Sequence, residues 1–141
     1  MWKWWAPVAA ATILLGCYDS QSMVQRVRDD SVQTQLVEID LGKFYVTLPR
    51  DAQTGSPCEL SVHFFGSVPP YRANQVRGQL ASGDYRLRHE TLVALRITTH
   101  EELAETSLTT LKERLRKVAN AILEEAPVEA IGFYEFRLVP R

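Results

Sequence analysis

The sequence predicts an α+β domain: a small antiparallel sheet with helices on one side, in the order strand, strand, helix, short helix, helix, strand. Three observations carry this. Two early segments alternate apolar and polar residues, which is a strand signal. A late segment repeats apolar residues at three- and four-residue spacing, which is a helix signal. The chain then ends in an aromatic-rich run from Ile131 to Leu138. Helices grouped between strands, rather than alternating singly with them, suit a layered α+β domain. With 141 residues, 45% apolar and 23% charged, the chain has the length and composition of one ordinary globular domain.

In the stretch QLVEIDLGKFYVTLP, Val37, Ile39 and Leu41 alternate with polar residues. Phe44, Val46 and Leu48 continue on the opposite parity. The change at Gly42 predicts a bulge or bend there. Pro49 to Pro57, with Asp51 and Gly55, reads as a turn. Leu60, Val62 and Phe64 make a second strand, expected to pair antiparallel with the first, and Pro69-Pro70 ends it.

Tyr71 to Thr99 carries two signals. Val76, Leu80, Leu87, Thr91 and Ala94 follow a helical stripe, but Gly78 and Gly83 each cost about 1 kcal/mol in a helix interior. Val93, Leu95 and Ile97 alternate as a strand would. Tyr71 to Gly83 therefore stays open between helix and loop. Thr99 is placed to N-cap a short turn from His100 to Leu103. Ser107 is expected to cap a helix from Leu108 to Glu124, with an apolar face of Leu108, Leu111, Leu115, Val118, Ile122 and Leu123. Glu113 and Lys117 would pair one turn apart. Pro127 is expected to stop that helix, and Val128 to Val139 to close the domain as a strand.

The chain's beginning has a different character. Trp2, Lys3, Trp4 and Trp5 form a short positive start, and an apolar run from Val8 to Leu15 follows. A small residue, Gly16, then precedes Cys17. This order reads as an export signal, to be left out of fold reasoning. Leu14-Leu15-Gly16-Cys17 resembles the lipobox of a bacterial lipoprotein, and the resemblance implies cleavage between Gly16 and Cys17 with diacylation of the Cys17 thiol. The alternative is an uncleaved anchor. From Trp4 to Tyr18 there are 15 apolar or small residues, about 22 Å of helix, whereas a span needs about 20 residues for a core of ~30 Å.

On either reading, everything after Cys17 is expected outside the cytoplasm, held at a membrane and facing the periplasm. Tyr18 is not the aspartate that, on the lipoprotein resemblance, would hold the chain in the inner membrane of enteric-type bacteria. Inner and outer membrane both stay open. Residues 18–34 are polar and read as a tether, spanning ~21–25 Å root-mean-square if flexible. The expected organisation is signal peptide 1–16, lipidated tether 17–34 and folded domain 35–141.

Composition excludes several classes of function. Without Lys3 the mature part has 15 basic and 17 acidic residues, which gives no electrostatic footprint for nucleic acid. Nor does it provide a polybasic cluster for anionic lipids. Acylation of Cys17 would leave Cys58 alone, so no internal disulfide framework is available. Cys58 reads as a small buried hydrophobe.

His63 is expected to face outward from its strand. His89-Glu90 and His100-Glu101 each lack the second histidine four residues on that a zinc helix needs. No Gly-x-Ser-x-Gly elbow occurs, and no glycine-rich phosphate loop. Asp29-Asp30 and Glu124-Glu125 read as solvated carboxylate pairs. No catalytic residue, metal or cofactor is therefore predicted. Arg72, Arg77, Arg86, Arg88 and Arg96 have few matching acids; they read as a solvated helix face or as a partner-binding surface, since arginine is enriched at interface hot spots.

Three stretches together carry a resemblance: IDLGKFYVTL (Ile39 to Leu48), LRHETLVALRITTHEEL (Leu87 to Leu103), and LKERLRKVANAIL followed by IGFYEFRL (Leu111 to Leu138). From Ile39 to Leu138 the chain resembles the extracytoplasmic domain of the flagellar basal-body-associated FliL family, most tellingly at Phe133-Tyr134-Glu135-Phe136. The resemblance implies a stomatin-like domain, a helix over Leu87 to Ile97, and a non-enzymatic role beside the flagellar stator through protein–protein contacts. Self-association is a further expectation of that kind. Three features depart from the family: the lipid signal stands where its members usually have a spanning helix, Tyr71 to Gly83 fits the family's pattern poorly, and Thr106-Ser107-Leu108-Thr109 lacks their Pro-Glu-Gly turn. A general envelope lipoprotein that binds a periplasmic partner or small ligand is the alternative function.

Overall fold

Residues 35–50 and 55–141 are described in the computed structural model of the chain. Gly16, Cys17, the tether and the Asp29-Asp30 pair lie outside them. The two alternating segments form β1 (Val37–Leu48) and β2 (Cys58–Val68), and the aromatic run forms β3 (Ala130–Pro140). The sheet is antiparallel throughout, with β2 in the centre. The protein is thus an α+β domain built on a small three-stranded antiparallel sheet.

The parity change in β1 is a bulge. Register shifts between Asp40 and Gly42, and Gly42 sits at φ +114°, a conformation that side-chain-bearing residues rarely adopt. Its N–H donates to the Asp40 carboxylate at 2.8 Å. The extra residue keeps Ile39 and Leu41 on the same face as Phe44, Val46 and Leu48, and all five are buried. β2 is longer than the alternation up to Phe65 suggests. Gly66 and Val68 continue its inward parity, and Pro69 ends it.

The ambiguous segment is one helix. A 3-10 turn, Pro70–Arg72, leads into α1 (Ala73–Arg96), which runs unbroken through both glycines. Burial explains why the helical stripe prevails over local cost. Val76, Leu87, Thr91, Ala94 and Leu95 are all buried. Of the three residues that alternate like a strand, Leu95 is fully buried while Val93 and Ile97 are exposed, as a helical rather than a two-residue period requires.

Thr99 caps α2 (His100–Leu103) in a reciprocal capping box. Its hydroxyl accepts from Glu102 N–H at 3.3 Å, and its own N–H donates to the Glu102 carboxylate at 3.2 Å. The next helix, α3 (Thr109–Ile122), is not capped by Ser107. Leu108 occupies the cap position in the left-handed region, φ 50°, with no side-chain cap. Glu105 takes over the role from five residues back, accepting Thr110 N–H at 3.0 Å. A carboxylate there also opposes the positive end of the helix dipole. Glu113 pairs with Arg116 at 2.8 Å rather than with Lys117.

α3 stops at Ile122, five residues before Pro127. Leu123, Ala126 and Val128 then turn inward and are buried. Asn120 pins this return with two bonds, accepting Val128 N–H at 2.8 Å and donating to Val128 C=O at 3.1 Å. Apolar burial and these two bonds, not proline, end the helix.

α1 and α3 lie on the face of the sheet that carries Ile39, Phe44, Leu60, Val62 and Phe64, and that layer is the core. Phe44 and Phe64 have ring centroids 5.6 Å apart within it. β3 is only partly covered: Ile131 is buried, Phe133 and Phe136 are half-buried against the core, and Tyr134 and Leu138 are exposed. Among the described residues, no helix is long and apolar enough to cross a membrane.

Candidate functional site

The strand period that buries one row of side chains turns the other row outward. Asp40, Lys43 and Tyr45 of β1, Ser61, His63 and Phe65 of β2, and Tyr134, Glu135 and Arg137 of β3 share the outer face. Among the described residues no helix packs there.

Lys43, His63 and Glu135 stand opposite one another across the three strands. Lys43 Nζ reaches over the central strand to Glu135 Oε2 at 2.6 Å, joining the two outer strands. The Ser61 hydroxyl donates to the other Glu135 oxygen at 3.5 Å, and Lys43 Nζ lies 5.5 Å from the Tyr45 ring centroid. The lysine holds the Glu135 carboxyl below the usual range, and the carboxylate in turn holds the lysine above its own. Tyr45, Ser61, Glu135 and Arg137 help to line a depression of about 600 Å³.

The other half of the face is aromatic. His63 Nε2 lies 3.0 Å from both Asp40 oxygens, so the bulge that fixes Gly42 also positions the histidine's partner. The Tyr134 ring packs on Phe65 at 4.5 Å and on His63 at 5.0 Å. Tyr134 is the extra residue of a second bulge, where the register shifts between His63 and Phe64. Desolvation first, then the Glu38 carboxylate, push its hydroxyl pKa up. Phe65 lies across Gly132, its cross-strand neighbour. A Cβ on Gly132 would meet the Phe65 ring at 2.2 Å, so glycine is required for that close approach.

This geometry suits recognition by hydrogen bonds, ion pairs and stacking. The Ser61 hydroxyl turns to Glu135, and His63 turns to Asp40. Among the described residues no three His, Cys, Asp or Glu side chains converge to hold a metal.

His63 faces outward, His89 is exposed on α1, and His100 opens α2 with a buried Nε2 that has no partner among the described residues. Cys58 is a free, buried thiol. Glu124 and Glu125 are exposed after α3, and Glu125 accepts from Gln75 Nε2 at 3.3 Å.

The five arginines do not form one patch. Arg77 and Arg88, three turns apart, flank β1. Arg77 sits beside Glu38 and Asp40, and Arg88 lies 5.5 Å over the Phe44 ring. Arg86 and Arg96 are exposed on α1, and Arg72 lies in the 3-10 turn, 5.4 Å from the Tyr71 ring. Among the described residues none of the five pairs with a carboxylate.

Sequence reasoning missed Lys43, Ser61, Glu135 and Arg137. Their signal was present as the polar parity of each strand, but only the register puts residues 92 positions apart side by side. No family model matches this chain, and no curated protein matches it.

Proposed function

We propose that the chain is a lipid-anchored, non-enzymatic periplasmic protein of the FliL type. It supports the flagellar basal body and stator through protein–protein contacts of the 35–141 domain. The observation that carries the interaction role is the outer sheet face, where charged and aromatic side chains are already held in place with no described helix upon them. The anchor rests on Leu14-Leu15-Gly16-Cys17 and the flagellar setting on the resemblance from Ile39 to Leu138. One observation favours a second reading, an envelope protein that captures a small polar ligand: the depression of about 600 Å³ is of the size of ligand sites.

A deletion strain should spread poorly in soft agar and recover with the wild-type gene. Lys43→Glu should fail to restore spreading, because it places two acids opposite each other and destroys the outer face's charge pattern. A strain that swims normally without the gene sinks the flagellar role. The anchor is read separately: labelled palmitate should enter the wild type and not Cys17→Ser.

A further inference from the structure

β3 is an edge of the sheet. Among the described residues it pairs with β2 alone, and residues 137–141 are all exposed. Arg141 N–H donates to Pro57 C=O at 2.9 Å. By the two-residue period of a strand, Glu135, Arg137 and Val139 also turn their backbone groups to β2. Phe136, Leu138 and Pro140 turn theirs outward, where no described strand meets them. Proline suits such a position, since it has no N–H to leave unpaired.

The side chains of these three residues lie on the helix side of the sheet, in register with buried Val62, Leu60 and Cys58. Phe136 is half-buried and Leu138 is 37% exposed, so the apolar layer continues to the free edge. The other edge, β1, differs. Arg77 and Arg88 of α1 flank it, and its bulge breaks the line at Asp40 and Gly42. From Glu135 to Arg141, β3 pairs without a register shift, its own bulge lying just before at Tyr134. A regular edge that carries apolar side chains is a template for another strand.

We infer that β3 pairs antiparallel with β3 of a second copy of this chain, Leu138 facing Leu138 on the twofold axis, and joins two three-stranded sheets into one. Charge selects this occupant and this register. On the outer face the pairing sets Glu135 opposite Arg141 of the second copy, and symmetry repeats the pair. Arg141 is itself bonded to Glu59 at 2.6 Å, and Glu135 to Lys43. The signs therefore alternate across the junction, from Lys43 and Glu135 of one copy to Arg141 and Glu59 of the other. Centring on Arg137 or Val139 would oppose arginines, and like charges directly opposite destabilise a sheet. Centring on Phe136 would run each strand into the other's Tyr134 bulge. An unrelated strand would have to match this pattern, whereas an antiparallel copy supplies it by symmetry.

On the helix side Leu138 meets Leu138, and Phe136 meets Pro140. Leu138 exchanges both backbone bonds with its copy, and Phe136 N–H reaches Pro140 C=O, about four bonds by symmetry. The contact is isologous, so it closes at two copies. It goes beyond the flagellar reading, because it uses only residues of the folded domain and holds whether or not the chain is anchored. The two outer faces then lie side by side on one sheet.

The test is a cysteine scan of the full chain in bacterial cells, in a Cys58→Ala background, oxidised with copper phenanthroline and read on non-reducing gels. The parent chain, which keeps Cys17, sets the background. Leu138→Cys should give a covalent dimer, because facing Cα atoms in such a pair lie about 5.5 Å apart, within disulfide reach. Phe136→Cys should not, its copies being about 14 Å apart along the strands. Adding Glu135→Arg should lower the dimer-to-monomer ratio of Leu138→Cys about tenfold, since two attractive pairs become repulsive. Arg141→Glu on the same chain should restore it. A Leu138→Cys dimer no stronger than the parent's overturns the inference. A stronger dimer from Phe136→Cys overturns it too, as another register, and so does a Leu138→Cys dimer indifferent to both charge reversals.

Discussion

Phe64 and Phe65 are neighbours in β2 and face opposite ways. Phe64 is fully buried, 5.6 Å from Phe44 under the helices. Phe65 lies over Gly132 and against Tyr134 on the side no described helix covers. The two faces differ in what holds them. The inner face is held by the removal of apolar area from water. The outer face is held by bulge geometry, cross-strand stacking and ion pairs, each weak by itself. Stability therefore resides mainly on one side of the sheet, and the other side is free to carry specificity.

The largest predicted effect measures that difference. Phe64→Ala should cost about 3–5 kcal/mol in chemical denaturation, much of the typical ~5–15 kcal/mol of such a domain. Phe65→Ala should cost about 1 kcal/mol, the order of an aromatic pair at a partly open site. Equal costs for the two would mean that the outer face is covered in solution, and would remove the basis for reading it as a recognition surface.

The same contrast governs what could be read from the sequence. β1, β2, the Gly42 bulge, the Thr99 cap and the apolar face of α3 were legible because each is written in local spacing. α1 was legible only in its second half, Leu87 to Arg96; its first half stayed open because Gly78 and Gly83 argue locally against helix, while what decides the matter is burial of Val76, Leu87 and Leu95 under partners distant in sequence. The cap of α3 was misassigned to Ser107 for the related reason that Glu105 reaches it through a loop. On the outer face the polar parity was visible, yet the Lys43–Glu135 bond needed the register of three strands. The same applies to the arginines, one group in sequence and two on the helix.

Ion pairs extend the comparison at smaller magnitude. On the outer face Lys43 and Glu135 are both more than a third exposed, so their attraction should fade with salt. On the helix side Glu102 and Arg114 are mostly buried, and Arg114 also donates to Thr98 Oγ1 at 3.3 Å. Glu102→Gln should cost about 1–2 kcal/mol near neutral pH, the scale of a charge-assisted bond. Arg114 holds the Glu102 carboxyl below its ordinary 4.5. Its contribution is therefore present above that value and disappears as the pH falls through the depressed folded-state pKa. Denaturation midpoints of wild type and Glu102→Gln should converge on acidification, and a gap that stays constant into strong acid would show that the pair does not titrate as a unit.

The smallest effect tests whether the inner face is uniformly apolar in its demands. Thr91 and Thr98 are both buried. The Thr98 hydroxyl donates to Ala94 C=O at 3.2 Å, whereas Thr91 Oγ1 has no partner among the described residues. A buried hydroxyl without a bond keeps its desolvation cost and returns nothing. Thr91→Val keeps the shape and removes that group, so it should be neutral or stabilise by up to about 1 kcal/mol. Thr98→Val should destabilise by about 1 kcal/mol, since it also strips Arg114 of an acceptor. If Thr91→Val is instead the costlier of the two, its hydroxyl is satisfied by a buried water. The inner face would then carry a polar site of its own beneath α1, and the division of labour between the two faces would be less complete than their side chains suggest.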